Sequence, residues 1–289
     1  MSHEIASAAL VSAESILALT PIAIKKTPLD PTSAVWSRVL SSAVLGYGLT
    51  SERSLPQKEW GSAAALGYTN LLHVASSYEA FRNLPAGQAM SLLYTYPMWN
   101  LVFMTLFDHE KIASHEYGLI GLATIGSVLL NMDPGHAAQP TSGKANPTWG
   151  LIMGLVMALT ESGMHFILKT LDWRDPAKSV WVVNASSSLL LWFLTVIQGE
   201  GFTPRLQSGT WWDAVLLTAF HSVTIFSGYW LRFYAVPRLS TVTYSILSYT
   251  GLLASYLFGL VFLEERPGWL SVIGAVIIVV SGLVLQLGK

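Results

Sequence analysis

Residues 133–147, DPGHAAQPTSGKANP, form the one long polar stretch in a chain of 289 residues. On either side of it the sequence is strongly apolar, and the two sides resemble each other. Apolar residues make up 52% of the chain and charged residues 11%, with a mean hydropathy of +0.48. Soluble chains carry about 25% charged residues, so this chain cannot be coated by water. The layout predicts a membrane protein built from two copies of one unit, residues 1–132 and 148–289, with the polar stretch 133–147 as the linker between them.

A formal net charge of −1 gives no bias toward nucleic acid or an acidic surface. The absence of cysteine excludes disulfides, Cys-ligated zinc and thiol chemistry. The first apolar run begins near Ala6 with no basic stretch before it, the pattern of a retained span rather than a cleaved signal peptide.

A membrane helix needs about 20 mainly apolar residues, and about 17 suffice for a short one. That rule predicts ten spans. Five precede the linker: Ala6–Ile24, Thr32–Leu49, Gly61–Phe81, Pro85–Phe107 and Tyr117–Met132. Five follow it: Trp149–Leu168, Ser179–Ile197, Trp211–Tyr234, Ser240–Leu263 and Gly268–Leu287. In hydrocarbon every backbone amide must be satisfied internally, which leaves helices and closed barrels. Barrel strands would be short and alternating, whereas these runs are long and continuously apolar. The fold class expected is therefore all-α.

The two halves match at polar and rare positions, where chance agreement is costly. Asp30-Pro31-x3-Val35-Trp36 opens the second span and Asp175-Pro176-x3-Val180-Trp181 opens the seventh. Ser41-Ser42 and Ser186-Ser187 follow at the same distance. Leu84, Tyr94-Thr95, Phe103, Phe107 and Glu110-Lys111 align without a gap on Leu239, Tyr249-Thr250, Phe258, Phe262 and Glu265-Arg266. The first and sixth spans share Glu14-Ser15 and Glu161-Ser162, and the fifth and tenth share glycine pairs, Gly118/Gly126 and Gly274/Gly282. Five spans is an odd number, so the second copy enters the membrane upside down. Inverted repeats place a binding site near the midplane and support alternating access. With the N-terminus inside, inner segments hold nine Lys and Arg (Arg53, Lys58, Lys111, Lys169, Arg174, Lys178, Arg232, Arg238, Lys289). Outer segments hold six (Lys25, Lys26, Arg82, Lys144, Arg205, Arg266). The excess favours both termini in the cytoplasm, in the inner membrane of a bacterium or an organelle or plasma membrane of a eukaryote.

The run from Tyr234-Ala-Val-Pro-Arg-Leu-Ser to Phe262-Leu-Glu-Glu-Arg-Pro, followed by Gly274-Ala-Val-Ile-Ile-Val-Val-Ser-Gly, resembles the end of an EamA repeat of the drug/metabolite transporter superfamily. Asn83-Leu84-Pro85, Tyr96-Pro97, Glu110-Lys111 and Gly118 repeat the pattern more loosely in the first half. The resemblance covers nearly the whole chain and implies a ten-helix carrier, two inverted five-helix EamA repeats around a central cavity. Its solutes would be amino acids, nucleobase-like compounds, sugars, organic ions or drugs. Ala13-Glu14 is also similar to the membrane-embedded Ala-Glu of the small multidrug resistance proteins, four-helix dimers in which the glutamate exchanges protons for cations. The sugar-phosphate branch of the superfamily carries basic residues near the end of its ninth and tenth helices. The ninth span here has none, which argues against a phosphorylated substrate.

Among single residues, Glu14 and Glu161, each followed by a serine (Ser15 in the first span), come first. A charged, unpaired carboxylate in a bilayer costs several kcal/mol, so such groups bind substrate, carry protons or hold helices together. His73, His165 and His221 also fall within spans. Glu161-x3-His165 shares a helix face, which suits a proton relay or half a metal site, but no HExxH or comparable cluster accompanies it. For each of the three, an interior histidine satisfied by its neighbours is the preferred reading. Asn70, one turn before His73, extends the same wall. Arg38 and Arg232 can neutralise an anionic substrate or pair with Glu14 and Glu161, and Arg232 can also snorkel to the interface. Tyr94, Tyr96, Trp99, Tyr229, Ser248 and Tyr249 offer aromatic and hydroxyl surface for a solute with a ring, or ordinary packing. The glycine pairs read as close helix contacts.

The function expected is a secondary transporter moving a small organic solute by alternating access, coupled to protons or working as an exchanger. The alternatives are an uncoupled facilitator and an intramembrane enzyme using Glu161, His165 and His221. No cofactor, metal or nucleic acid is expected. The partners are the solute, protons and the lipid bilayer, with the chain acting as a monomer or homodimer.

Overall fold

The structure is a computed structural model and describes residues 2–84, 86–131, 146–171, 173–199, 204–262 and 268–287. Nearly all of the 133–147 linker lies outside the described residues, as does the Leu-Glu-Glu-Arg-Pro run at 263–267. The described residues form helices and no strand. In the first half these are α1 (Ser2–Leu17), α2 (Thr20–Lys26), α3 (Pro31–Leu49), α4 (Trp60–Asn83), α5 (Ala86–Leu93), α6 (Tyr96–Phe107) and α7 (Ser114–Asn131). In the second they are α8 (Pro147–Leu171), α9 (Pro176–Ile197), α10 (Trp211–Ala235), α11 (Thr241–Ser248), α12 (Thr250–Phe262) and α13 (Trp269–Leu287).

Three of the expected spans are broken helices. The first is α1 and α2, the fourth is α5 and α6, and the ninth is α11 and α12. Proline lacks an amide proton and its ring crowds the carbonyl four residues back. Pro21 and Pro97 each sit in the first turn of the helix that follows a break. The third break has no proline. It falls at Tyr249, the repeat equivalent of Tyr94, where the backbone tightens to a Tyr249 amide to Ile246 carbonyl bond of 3.3 Å. Both copies thus turn at the same position, with the ring centroids of Tyr94 and Tyr249 stacked 6.2 Å apart.

By length and composition alone, four helical stretches among the described residues can cross a membrane: His3–Ile24, Pro147–Leu171, Pro176–Ile197 and Trp211–Arg238. The outer surface is apolar, with Leu189, Phe193 and Ile197 exposed on α9 and Val272, Val276, Val280 and Leu283 exposed on α13. Glu14, Arg38, Asn70, His73, Glu161 and Arg232 are buried. An apolar surface of this extent suits lipid and not water.

Packing runs mainly between the halves, and the largest contacts between them have counterparts with the roles exchanged. α4 lies against α8, and α1 against α10; α4 touches α9, and α3 touches α10. α6 lies against α8, and α12 against α1, while the pairs α3–α9 and α7–α13 are their own counterparts. The α7–α13 pair is closest where Gly126 meets Gly274. A Cβ on Gly126 would sit 2.8 Å from the Gly274 carbonyl oxygen, so neither position has room for a side chain. Gly118 meets nothing and Gly282 only ordinary packing, so one glycine of each pair makes the contact.

The Asp-Pro motifs are helix starts. Asp30 and Asp175 are N-caps with proline at N1, their carboxyls accepting from the amides of Thr32 and Ser33 and of Ala177 and Lys178. Each cap is also held by the opposite half. The Asp30 amide donates to the Arg205 carbonyl at 3.0 Å. The Thr50 hydroxyl donates to Asp175 Oδ2 at 2.7 Å, and Lys178 Nζ lies 3.0 Å from Glu52 Oε2. Partial burial acts to raise the Asp175 carboxyl. Bonds from the Thr50 hydroxyl and from the Lys178, Ala177 and Ser51 amides outweigh it, leaving the group below its ordinary 3.8. A depressed carboxyl stabilises the fold fully above its unfolded value, and that contribution is lost as pH falls through the folded one. Asp175→Ala in detergent is expected to cost about 1 kcal/mol at pH 7. Its unfolding midpoint should also fall less than the wild type's as pH is lowered through 4. An equal slope in both proteins would show that Asp175 is not tied across the halves as described.

Candidate functional site

A cavity of about 490 Å³, counting the part open to its surroundings, lies between the halves beside two of the broken helices. Its apolar wall includes Leu17, Phe81, Met90, Leu93 and Ile225, and its polar wall Glu14, Arg38, His73, Glu161, Tyr229 and Arg232. Thr20 and Pro21, at the α1–α2 break, also reach it. The apolar residues carry no sequence signal that separates them from core; the charged residues beside them mark the region.

Arg232 on α10 is the centre of the polar wall. Its Nε and Nη2 donate to Glu14 Oε1 at 2.9 and 2.6 Å, and its Nη1 donates to Glu161 Oε1. One guanidinium from the second half therefore ties a carboxylate from each half. The Tyr96 hydroxyl lies 3.4 Å from Glu14 Oε1, and the guanidinium carbon is 5.7 and 5.4 Å from the centroids of Tyr96 and Tyr229. The remaining oxygens, Glu14 Oε2 and Glu161 Oε2, are buried without a hydrogen bond. Gly251 leaves the space in which the Tyr94 hydroxyl and Glu14 Oε2 sit, and a Cβ there would be 2.9 Å from that oxygen.

His73 reaches from the first half to the polar wall of the second. Its Nδ1 is 3.1 Å from the Met157 carbonyl, which can only accept, so Nδ1 carries the proton. Its Nε2 faces both Glu161 Oε2 and the Tyr229 hydroxyl at 3.4 Å. The hydroxyl can donate to that nitrogen, and a proton placed between Nε2 and Oε2 would join His73 to Glu161.

Glu14, Glu161, His73, Tyr94, Tyr229, Arg38 and Arg232 therefore meet at one cavity, with Tyr96 directly behind them. The other candidates lie elsewhere. Asn70 turns toward α9, bonding Ser187 Oγ at 2.9 Å and Asn184 Oδ1 at 3.4 Å. Ser15 bonds back to the Val11 carbonyl, and Ser248 to the Tyr244 carbonyl. Tyr249 stands behind Tyr94 and shares a 2.7 Å bond with Thr124 Oγ1. His165 packs on Tyr244, ring centroids 4.3 Å apart, and neither of its nitrogens has a partner. The i, i+4 relation to Glu161 does not bring the two together, because Glu161 is drawn to Arg232. Arg232 is buried rather than snorkelling, since α10 continues past it to Ala235. Among the described residues, no group of three or more His, Asp or Glu could hold a metal ion.

Buried charge shared between two apolar halves beside broken helices is what carriers display. The chain matches the EamA-like transporter family over residues 5–132 and 148–286. It belongs to that family. The chain is thus an integral membrane protein, a transporter of the drug/metabolite superfamily with two EamA repeats. Among solved structures, one protein crystal structure aligns over 99% of this chain and 96% of its own, with a TM-score of 0.71 and 17% identity. At that identity the likeness is one of fold. No curated protein matches the chain.

Removing one partner of a buried ion pair leaves an uncompensated charge and costs about 3–5 kcal/mol. Arg232→Gln should accordingly lower the unfolding midpoint of the transporter sharply. Arg232→Gln combined with Glu14→Gln and Glu161→Gln should recover most of the loss. A mild effect of Arg232→Gln alone would contradict the shared guanidinium.

Proposed function

We propose that the protein is a proton-coupled secondary transporter for a small organic solute. Ten spans would form two inverted five-helix repeats, residues 1–132 and 148–289, joined by the linker 133–147, with both termini in the cytoplasm. The three broken helices each account for one span, and the exchanged pairing of contacts supports the inversion.

The observation that carries the reading is the Glu14–Arg232–Glu161 bridge. It lines the cavity, it joins the halves, and His73 faces Glu161 Oε2 at 3.4 Å, within reach of a shared proton. In the proposed cycle the halves rock about the cavity to expose it alternately. Loss of that proton adds one negative charge to the cluster within a water-poor site, so proton transfer and solute occupancy are coupled by charge. The same bridge would hold the helices together in an uncoupled facilitator, and proton flux separates the two.

Proteoliposomes loaded with a pH-sensitive dye and challenged with amino acids, nucleobases, organic cations and organic acids provide the test. Solute-dependent proton flux is expected in wild type. It should fall at least tenfold in Glu14→Gln or Glu161→Gln variants that retain their fold. Solute flux without a pH change, intact in both variants, would reduce the bridge to helix attachment.

A further inference from the structure

Arg38 on α3 is the second buried cation of the cavity, and it is paired quite differently from Arg232. Its residue exposure is 4% and it lines the cavity. Among the described residues no carboxylate lies within ion-pair distance of it. Its hydrogen-bond partner is the Tyr229 hydroxyl, 3.4 Å from Nη2, and its guanidinium carbon is 5.8 Å from the centroid of that ring. A guanidinium presents five N–H donors and does not lose its charge. Two such cations flank Tyr229, but only Arg232 is neutralised.

The pairing makes the difference useful. Glu14 and Glu161 are both drawn to Arg232, which leaves the charge of Arg38 at the cavity wall without a carboxylate in contact. Both carboxylates are committed to Arg232 through Oε1, and their second oxygens are buried, that of Glu161 beside His73 and that of Glu14 beside Gly251. The wall of the same cavity also carries the apolar Phe81, Met90, Leu93 and Ile225. Planar, bidentate recognition of a carboxylate is what arginine does best.

Resting on the carrier reading above, we propose that Arg38 with Tyr229 is the anchor for the carboxylate of a monoanionic solute with an apolar body. The solute supplies the charge and acceptors that the protein withholds, and its body fills the Phe81–Leu93 side. Arg38 thus selects by charge, while the bridge beyond Tyr229 handles protons.

Three probes of one ring and chain length separate the charge classes: 3-phenylpropionate, phenylalanine and 2-phenylethylamine. Binding is read as a shift of the unfolding midpoint of purified full-length protein, and flux in proteoliposomes. The expected result is binding of 3-phenylpropionate at least tenfold tighter than either nitrogen-bearing probe. Arg38→Gln should lose it by tenfold or more and Arg38→Lys should keep part. Without probe, Arg38→Gln should unfold no lower than wild type, because it removes an unpaired charge; a merely structural arginine would destabilise when removed. Preference for the amine or the amino acid, binding unchanged in Arg38→Gln, or no binding of any probe would overturn the anchor. Flux of the amine or amino acid that survives Arg38→Gln would overturn the anchor and leave the carrier standing. Arg38-dependent binding of 3-phenylpropionate without flux of any solute in the wider panel would do the reverse.

Discussion

The fold depends on one arginine held between two glutamates. Arg232 reaches from the second half to Glu14 of the first and Glu161 of its own, in a region where water is scarce. Each of these charges would be intolerable alone, since an isolated ion in a low-dielectric interior costs several kcal/mol even after relaxation. Their mutual presence makes the interior possible, and the aromatic rings of Tyr96 and Tyr229 against the guanidinium add to it. Helices α1, α8 and α10 are consequently fixed relative to one another by charge at the same level where the cavity opens.

Around that point the chain uses backbone devices to make space. The breaks before Pro21 and Pro97 interrupt helices beside the cavity, the break at Tyr249 lies behind Tyr94, and Gly251 admits the Tyr94 hydroxyl to Glu14. Farther out, α7 and α13 meet backbone to backbone at Gly126 and Gly274. The Asp-Pro caps at either end are each tied to a loop of the opposite half. The centre is polar and irregular, the flank is close-packed, and the ends are pinned.

Much of this was legible in the sequence because it rests on composition and on rare residues. The all-α class follows from long apolar runs, and the duplication from Asp-Pro-x3-Val-Trp and Glu-Ser. Glu14, Glu161, Arg232 and Arg38 stood out because charge is rare in such runs. Their arrangement was not legible. Helical spacing groups Glu161 with His165, but charge attraction across the interface turns Glu161 toward Arg232 and leaves His165 on Tyr244. Spacing likewise groups Asn70 with His73, yet Asn70 satisfies its amide against α9. Apolar cavity residues such as Met90 and Leu93 are indistinguishable from core until the helices are placed.

The duplication is not perfect at its most charged point. The amides of Leu84 and Leu239 bond equivalently to the carbonyls of Ala80 and Ala235. Counting back seven residues from each along the same register (84 − 77 = 239 − 232) sets Ser77 opposite Arg232. Ser77 also borders the cavity, but its hydroxyl turns to the Val74 carbonyl 2.7 Å away. A strictly two-fold molecule would carry a second cation there, and rotating one half onto the other would reproduce the same charge arrangement. With a hydroxyl in its place, exchanging the roles of the halves cannot regenerate the same charge arrangement. The charge at the cavity is therefore borne unequally by the two repeats, an asymmetry carried by a few unmatched positions in an otherwise duplicated chain.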